Sequence, residues 1–284
     1  MLPESIANDI RFFFNSDILD FSRVHGGDIN QGGKFRSGHG DTYFIKWNLS
    51  ANPSMFAKEA KGLKLLFEAN TDLRIPKVLR STEHYLVLEW IQQGSKNDQS
   101  DHDFGRQLAL LHKHTTEFFG LDHDNFIGRL PQSNSRHSNW ADFFAIERIE
   151  PQIQMAIESG KIDRSLFRTV QKLYAKLGHI FPTEKPALLH GDLWSGNYLF
   201  DENGNASIYD PAVYYGHREM DLSMTRLFGG FSADFYKGYS DEYPLEDGFE
   251  DRIKLCNLYP VLVHANLFGG SYARQAEQII RHYA

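Results

Sequence analysis

A polar stretch without apolar periodicity, QQGSKNDQSDHD at residues 92–103, separates two parts of the chain that follow different hydrophobic periods. Ahead of it the pattern is largely strand-like. TYFIKW alternates Thr42, Phe44 and Lys46 with Tyr43, Ile45 and Trp47, and IPKVLRS and HYLVLEWI read as two further strands. Helical spacing occurs there twice: Ile6, Ile10, Phe13 and Phe14 share one face, and after Pro53 so do Phe56, Leu63, Leu66 and Phe67. Glu59 falls on that second apolar stripe, an odd place for a solvated carboxylate. Behind the polar stretch the chain turns mostly helical. FGRQLALLHKHT carries Phe104, Leu108 and Leu111. DRSLFRTVQKLYAKLGHIFP is capped by Asp163, lined by Leu166, Phe167, Val170, Leu173, Tyr174 and Leu177, and closed by Gly178 and Pro182. Strands segregated from helices imply an α+β protein of two lobes, a small antiparallel-sheet lobe over residues 1–92 and a larger, mostly helical lobe over 93–284.

The function classes this composition excludes are informative. Lysine and arginine are spread along a chain of net charge −7, so neither nucleic acid nor an anionic membrane surface is an expected partner. The single cysteine, Cys256, permits no intramolecular disulfide or cysteine-based metal site and reads as a small buried hydrophobe. MLPESIANDIRFFFNS lacks the basic start and apolar core of a signal peptide, and no apolar run approaches the roughly 20 residues of a membrane span. A cytoplasmic location is expected. The tetrapeptide LFGG occurs at 227–230 and 267–270 with unmatched flanks, which reads as coincidence rather than as an internal repeat.

The chemistry concentrates in LLHGDLWSGNYLF, residues 188–200, where a polar insert interrupts an apolar run. Asp192 and Asn197 stand five positions apart across a Ser195-Gly196 turn, and Asp210 closes the apolar segment ASIY ahead of Pro211. Both carboxylates therefore sit where a short strand surfaces. Two carboxylates and an amide oxygen form a hard ligand set suited to Mg²⁺. Phosphoryl transfer calls for such a set: a base for the attacking hydroxyl and oxygen ligands for the ion that neutralises the phosphates. The order Asp192, Asn197, Asp210 is similar to that of protein kinases, whose catalytic loop has the same Asp–Asn separation before a metal-binding Asp. Lys46, Glu59 and a Gly-rich turn ahead of the lysine strand, with Gly32-Gly33 as its second pair, extend the likeness. A strand lysine paired to a helix carboxylate would hold the α- and β-phosphates. Each piece alone has a plainer reading: His-Gly-Asp as a common turn, Asp210-Pro211 as a strand end, Lys46 as an edge residue, Glu59 as a surface charge. GGDINQGG also lacks the G-x-G-x-x-G spacing. Agreement in order among five elements favours the functional reading. His112, His114, His123 and His137 show no zinc spacing and read as solvated or core histidines.

LLHGDLWSGN followed by YDPAVYYGHREMDLSMTRLFGGF resembles the fructosamine kinase (ketosamine 3-kinase) family, within the aminoglycoside and choline kinase-like group. HGDxxxxN marks the wider group; the internal Leu-Trp-Ser-Gly and the DPAxYYGHxExDL that follows are much more specific. YFIKW, LVLEWI, GRLPQSNSRHSNWADFF and the C-terminal helices extend the likeness over most of the chain. The resemblance implies a two-lobed protein-kinase-like fold and ATP-dependent phosphorylation of the 3-hydroxyl of a ketosamine, whose product falls apart and frees the amine. It implies Asp192 as the base, Asn197 and Asp210 as Mg²⁺ ligands, and Lys46 with Glu59 at the ATP phosphates. Adenine would meet the backbone at Glu89, Trp90 and Ile91. Asp221 would brace the catalytic loop. Trp194, Tyr214, Tyr215 and His217 are candidates for the sugar or its amine-bearing partner, with core packing an equal contender for the two tyrosines. Asp210 is followed by Pro-Ala instead of Phe-Gly, and no phosphorylatable segment is evident between Asp210 and Asp221, which implies a constitutively competent enzyme. The alternatives are a kinase of the same fold for an aminoglycoside, choline, homoserine or free sugar, and a catalytically dead pseudokinase. The intact set of Lys46, Glu59, Asp192, Asn197 and Asp210 speaks against the latter.

Overall fold

The computed structural model describes residues 2–24 and 29–284. The chain forms two compact units, one of residues 1–100 with 196–211 and one of residues 101–195 with 212–284. In chain order the first unit begins with α1 (Glu4–Phe14), β1 (Ile18–Val24), β2 (Gln31–Ser37), β3 (Thr42–Trp47), α2 (Met55–Glu68), β4 (Val78–Ser81) and β5 (Tyr85–Glu89). The five strands make one antiparallel sheet in the order β1-β2-β3-β5-β4. Lys46 lies on the central strand β3, opposite Gly32 and Leu86. Side chains alternate across a strand, so Ile45 and Trp47 enter an apolar cluster with Ile6, Ile10, Phe35 and Val87, and Lys46 turns to the other face. On α2, Phe56, Leu63 and Leu66 are buried. Phe67, expected on the same stripe, is 60% exposed, because one further residue rotates it about 100° from Leu66.

The second unit takes up α3 (Ser100–His112), β6 (Asn125–Ile127), β7 (Leu130–Gln132), α4 (Trp140–Phe143), a π-helical turn (Phe144–Ile149), α5 (Glu150–Glu158), a 3-10 turn (Arg164–Leu166), α6 (Phe167–Ile180) and β8 (Ala187–Leu189). The Asp163 side chain accepts the Ser165 N–H at 2.8 Å and so caps the 3-10 turn that opens α6. The helix runs past Gly178 to Ile180 and ends where Phe181, the residue before Pro182, becomes extended.

The chain then rejoins the first unit through a hairpin of β9 (Tyr198–Phe200) and β10 (Ala206–Ile208). Two backbone bonds seat it there: Arg74 N–H to Ala206 O at 2.9 Å and Ile208 N–H to Arg74 O at 3.1 Å. From Ala212 the second unit resumes with β11 (Tyr214–Gly216), paired to β8, and with α7 (Glu219–Leu227), α8 (Ala233–Glu242), α9 (Phe249–Cys256), α10 (Leu258–Phe268) and α11 (Ser271–Tyr283). Its core gathers residues such as Ile153, Leu173, Leu177, Leu262 and Ile280. Cys256 is fully buried there and burial pushes its thiol up, the behaviour of an inert apolar side chain. Among the described residues no helix is long and apolar enough to cross a membrane.

Candidate active site

In the first unit the strand period and the helix period deliver opposite charges to one point. Lys46, on the face of β3 turned away from the α1 core, places Nζ 2.5 Å from Glu59 of α2 and 2.6 Å from Asp210 Oδ1. The lysine and Glu59 are almost wholly buried, whereas the Asp210 side chain is 43% exposed. Burial pushes the Glu59 carboxyl up to about 7; Lys46 opposes that rise and the Asp210 charge adds to it. Burial also pulls the Lys46 ammonium down, but the Asp210 and Glu59 carboxylates outweigh it and hold the group charged. Asp210 adopts φ +57, a left-handed backbone that non-glycine residues reach only at a cost of about 1–2 kcal/mol. The preceding Tyr209 N–H donates to Asn197 O at 3.0 Å, which ties Asp210 to the buried Asn197 in the same hairpin region. Among the described residues no group of three or more His, Cys, Asp or Glu could hold a metal by itself. Two hard oxygen donors, Asn197 and a half-exposed Asp210, instead fit an ion that brings phosphate oxygens with it, as Mg²⁺ does.

In the second unit the run around Asp192 is held by its backbone. Asp221, in the first turn of α7, accepts the His190 N–H at 2.7 Å and the Gly191 N–H at 2.9 Å, and His112 Nε2 lies 3.2 Å from it. The Tyr239 hydroxyl lies 2.8 Å from His112 Nδ1, so the ring is held between Tyr239 and Asp221. Burial raises the Asp221 carboxyl, but His112 and the backbone donors prevail and hold it below the usual range. Gly191 has φ +83, and a Cβ there would come within 2.1 Å of the Ala212 carbonyl oxygen. Only glycine fits. Ala212 N–H donates in turn to His190 O at 2.9 Å. Asp192, Tyr214, Tyr259, Met220, Met224 and His264 line a cavity within this unit.

Beneath that cavity lies a buried amide network from the segment 125–148. Gln132 donates to Ala212 O at 3.0 Å and Asn125 to Val213 O at 2.8 Å, so the backbone just past Asp210-Pro211 is held from below. Asn134 joins Asn125 at 2.8 Å, and Arg148 donates to Asn134 at 2.7 Å while its guanidinium lies 4.0 Å over the Tyr214 ring.

The remaining expected residues fall less uniformly. Gly32 and Gly33 lie inside β2 instead of a turn. A Cβ at Gly33 would meet the Phe21 ring at 2.6 Å and one at Gly32 the Val24 carbonyl at 3.1 Å, so strand packing accounts for both. The first glycine pair, Gly26-Gly27, lies outside the described residues. Glu89 ends β5, where its N–H donates to Lys77 O at 2.9 Å and its carboxylate pairs with Arg74. Trp90 lies under Lys34 Nζ at 4.4 Å from the ring centroid, and Ile91 is buried. Trp194 meets the Phe228 ring at 5.9 Å. Tyr214 is both a core residue, stacked on Phe143 at 5.7 Å, and a wall of the Asp192 cavity. Tyr215 bonds through its backbone to Gly120 at 2.8 and 2.9 Å and does not line the cavity. His217 is fully buried against Trp140 and Phe181, and burial lowers its pKa, so it is a neutral core histidine and not a cavity residue. His112, expected as a solvated or core histidine, is buried as a core one, but its pairing with Asp221, 109 residues away, has no local signal in either residue's neighbourhood.

The model of the fructosamine kinase family matches residues 5–284. A Synechocystis protein assigned as a ketoamine kinase is 43% identical, covering 91% of this chain and 88% of its own. The chloroplastic protein-ribulosamine 3-kinase of Arabidopsis thaliana is 36% identical over 94% of this chain and 83% of its own. The crystal structure of a Thermobifida fusca protein assigned as a fructosamine-3-kinase superposes with a TM-score of 0.89 at 31% identity, covering 98% of each chain. An aminoglycoside phosphotransferase in complex with AMP-PNP and hygromycin B shares the fold at a TM-score of 0.63 and 18% identity. That likeness concerns architecture alone, and it agrees with the kinase-like α+β fold expected from sequence. With the family model spanning residues 5–284 and such relatives aligned over most of their length, the chain belongs to the fructosamine kinase family.

Proposed function

We propose that the protein is an ATP-dependent ketosamine 3-kinase, which phosphorylates the sugar 3-hydroxyl of fructosamine or ribulosamine adducts and thereby starts their deglycation. The observation that carries this reading is the convergence of Lys46 on both Glu59 and Asp210 in a chain that matches the family over residues 5–284. In this reading Asp192 accepts the hydroxyl proton as the oxygen–phosphorus bond forms and the bridging bond to ADP breaks. Lys46, oriented by Glu59, holds the α- and β-phosphates, and the chain leaving β5 at Glu89–Ile91 meets adenine. Asn197 and Asp210 would hold Mg²⁺, which neutralises phosphate charge when bound. Asp221 acts through the backbone, keeping His190 and Gly191, and so Asp192, in place.

Purified protein with Mg²⁺-ATP and an acceptor panel tests the assignment. Fructosyl- or ribulosyl-lysine should be phosphorylated efficiently and choline, homoserine and aminoglycosides poorly; the reverse ranking contradicts it. Chelation with EDTA should abolish turnover, and added Mg²⁺ should restore it. Turnover that survives chelation would remove Asn197 and Asp210 from the role of metal ligands.

A further inference from the structure

The two LFGG tetrapeptides, whose flanks do not match, meet in the folded second unit. Each ends a helix: Leu227 is the last residue of α7 and Phe268 the last of α10. All four glycines have positive φ, from +67 to +97, so each phenylalanine is followed by a backbone bend that other residues adopt only with strain. The His264 ring lies between the two phenylalanines, 5.2 Å from Phe228 and 5.6 Å from Phe268. Tyr272 adds a further ring 5.1 Å from His264, and Trp194 extends the cluster from Phe228.

Two features join this aromatic cluster to the Asp192 run. His264 lines the cavity that contains Asp192. Gly230 lies so close to the run that a Cβ on it would stand 2.5 Å from the Ser195 Cβ. Yet Phe228 remains 41% exposed and Phe268 52%, rings open to solvent beside the half-buried rings of His264, Tyr272 and Trp194. Exposed ring faces cover methylene groups and remove them from water.

We propose that Phe228 and Phe268, set around His264, form the amine-side subsite of the acceptor. They take the methylene chain of a glycated lysine, the part that a methylamine adduct lacks, while its sugar lies at Asp192; the inference rests on the ketosamine reading above. The LFGG segments recur because two helices end at the same subsite, and a duplicated unit is not required.

The test compares two adducts of the same sugar, fructosyl-lysine and the fructosyl adduct of methylamine, on wild-type protein and on Phe228→Ala/Phe268→Ala. The double variant should lose about tenfold in kcat/KM on fructosyl-lysine through KM, and about twofold or less on the methylamine adduct. Phe228→Leu/Phe268→Leu, which keeps apolar bulk, should show the same selectivity in smaller measure and carries the test if the alanine pair does not fold. Gly230→Ala should depress turnover of both adducts alike, because it presses on Ser195. Equal losses on both adducts for the phenylalanine variants, or no loss on either, would overturn the subsite. A wild-type protein inactive on both adducts would instead refute the ketosamine reading itself.

Discussion

Glu59 and Asp221 are both buried carboxylates, one in each unit, and they are held in opposite ways. Glu59 relies on a single cation, Lys46, which it shares with Asp210; its carboxyl rises to about 7. Asp221 is met by two backbone N–H groups and His112, and its carboxyl falls below the usual range. A shared cation leaves charge unbalanced in a way that a ligand can complete. Fixed donors leave nothing to rearrange. The first arrangement suits binding of Mg²⁺ and phosphates, and the second suits the rigid placement of a neighbouring base.

Removing the shared cation should have the largest effect. Lys46→Met should lower kcat/KM for ATP by about 10³-fold with the protein still folded, as circular dichroism and steady-state kinetics would register. Near-normal kinetics would place the phosphates elsewhere. Asp221→Asn should cost about 2–4 kcal/mol of stability in urea unfolding and lower kcat more than it raises the KM for ATP. A rise confined to the KM for ATP would contradict its role as a brace for Asp192. Glu59→Gln leaves Lys46 paired with Asp210 and should raise the KM for ATP only about tenfold.

The pH dependence separates the two carboxylates most finely. Glu59 has a folded pKa raised from 4.5, so its contribution to stability is present below that value and is lost as pH rises toward about 7. The stability difference between wild type and Glu59→Gln should therefore shrink across that window, by at most about 1.4 kcal/mol per pH unit. Asp221 has a folded pKa lowered from 3.8, so its contribution is present above that value and is lost as pH falls below it. Thermal unfolding of wild type and variants between pH 3 and 8 would register both slopes, and a Glu59 difference that grew with pH would reverse the account of its burial.

Much of this was legible in the chain because local periods carry it. Alternation around Lys46 and the helical stripe bearing Glu59 place both groups without reference to distant residues, and the Asp192–Asn197 spacing fixes what lies on the same short run. The glycine pair at 32–33 misled, since a glycine that makes room in a strand and one that makes a turn look the same in sequence. His217 misled for a related reason, because proximity to a motif carries no sign of burial. The return of residues 196–211 to the first unit depends on Arg74 bonding to Ala206 and Ile208 more than a hundred positions away. The two LFGG segments likewise meet at His264 only through the fold, Phe228 and Phe268 being 40 positions apart. Such long-range pairings have no local period to announce them.

The most direct test of this division of labour is Asp192→Ala, followed by Mg²⁺-ATP binding and single-turnover phosphoryl transfer to fructosyl-lysine. Nucleotide affinity should stay within about twofold of wild type while the transfer rate falls by about 10³-fold. A variant that transferred phosphate at a near-normal rate, or that lost nucleotide affinity along with transfer, would contradict the assignment of Asp192 as the base.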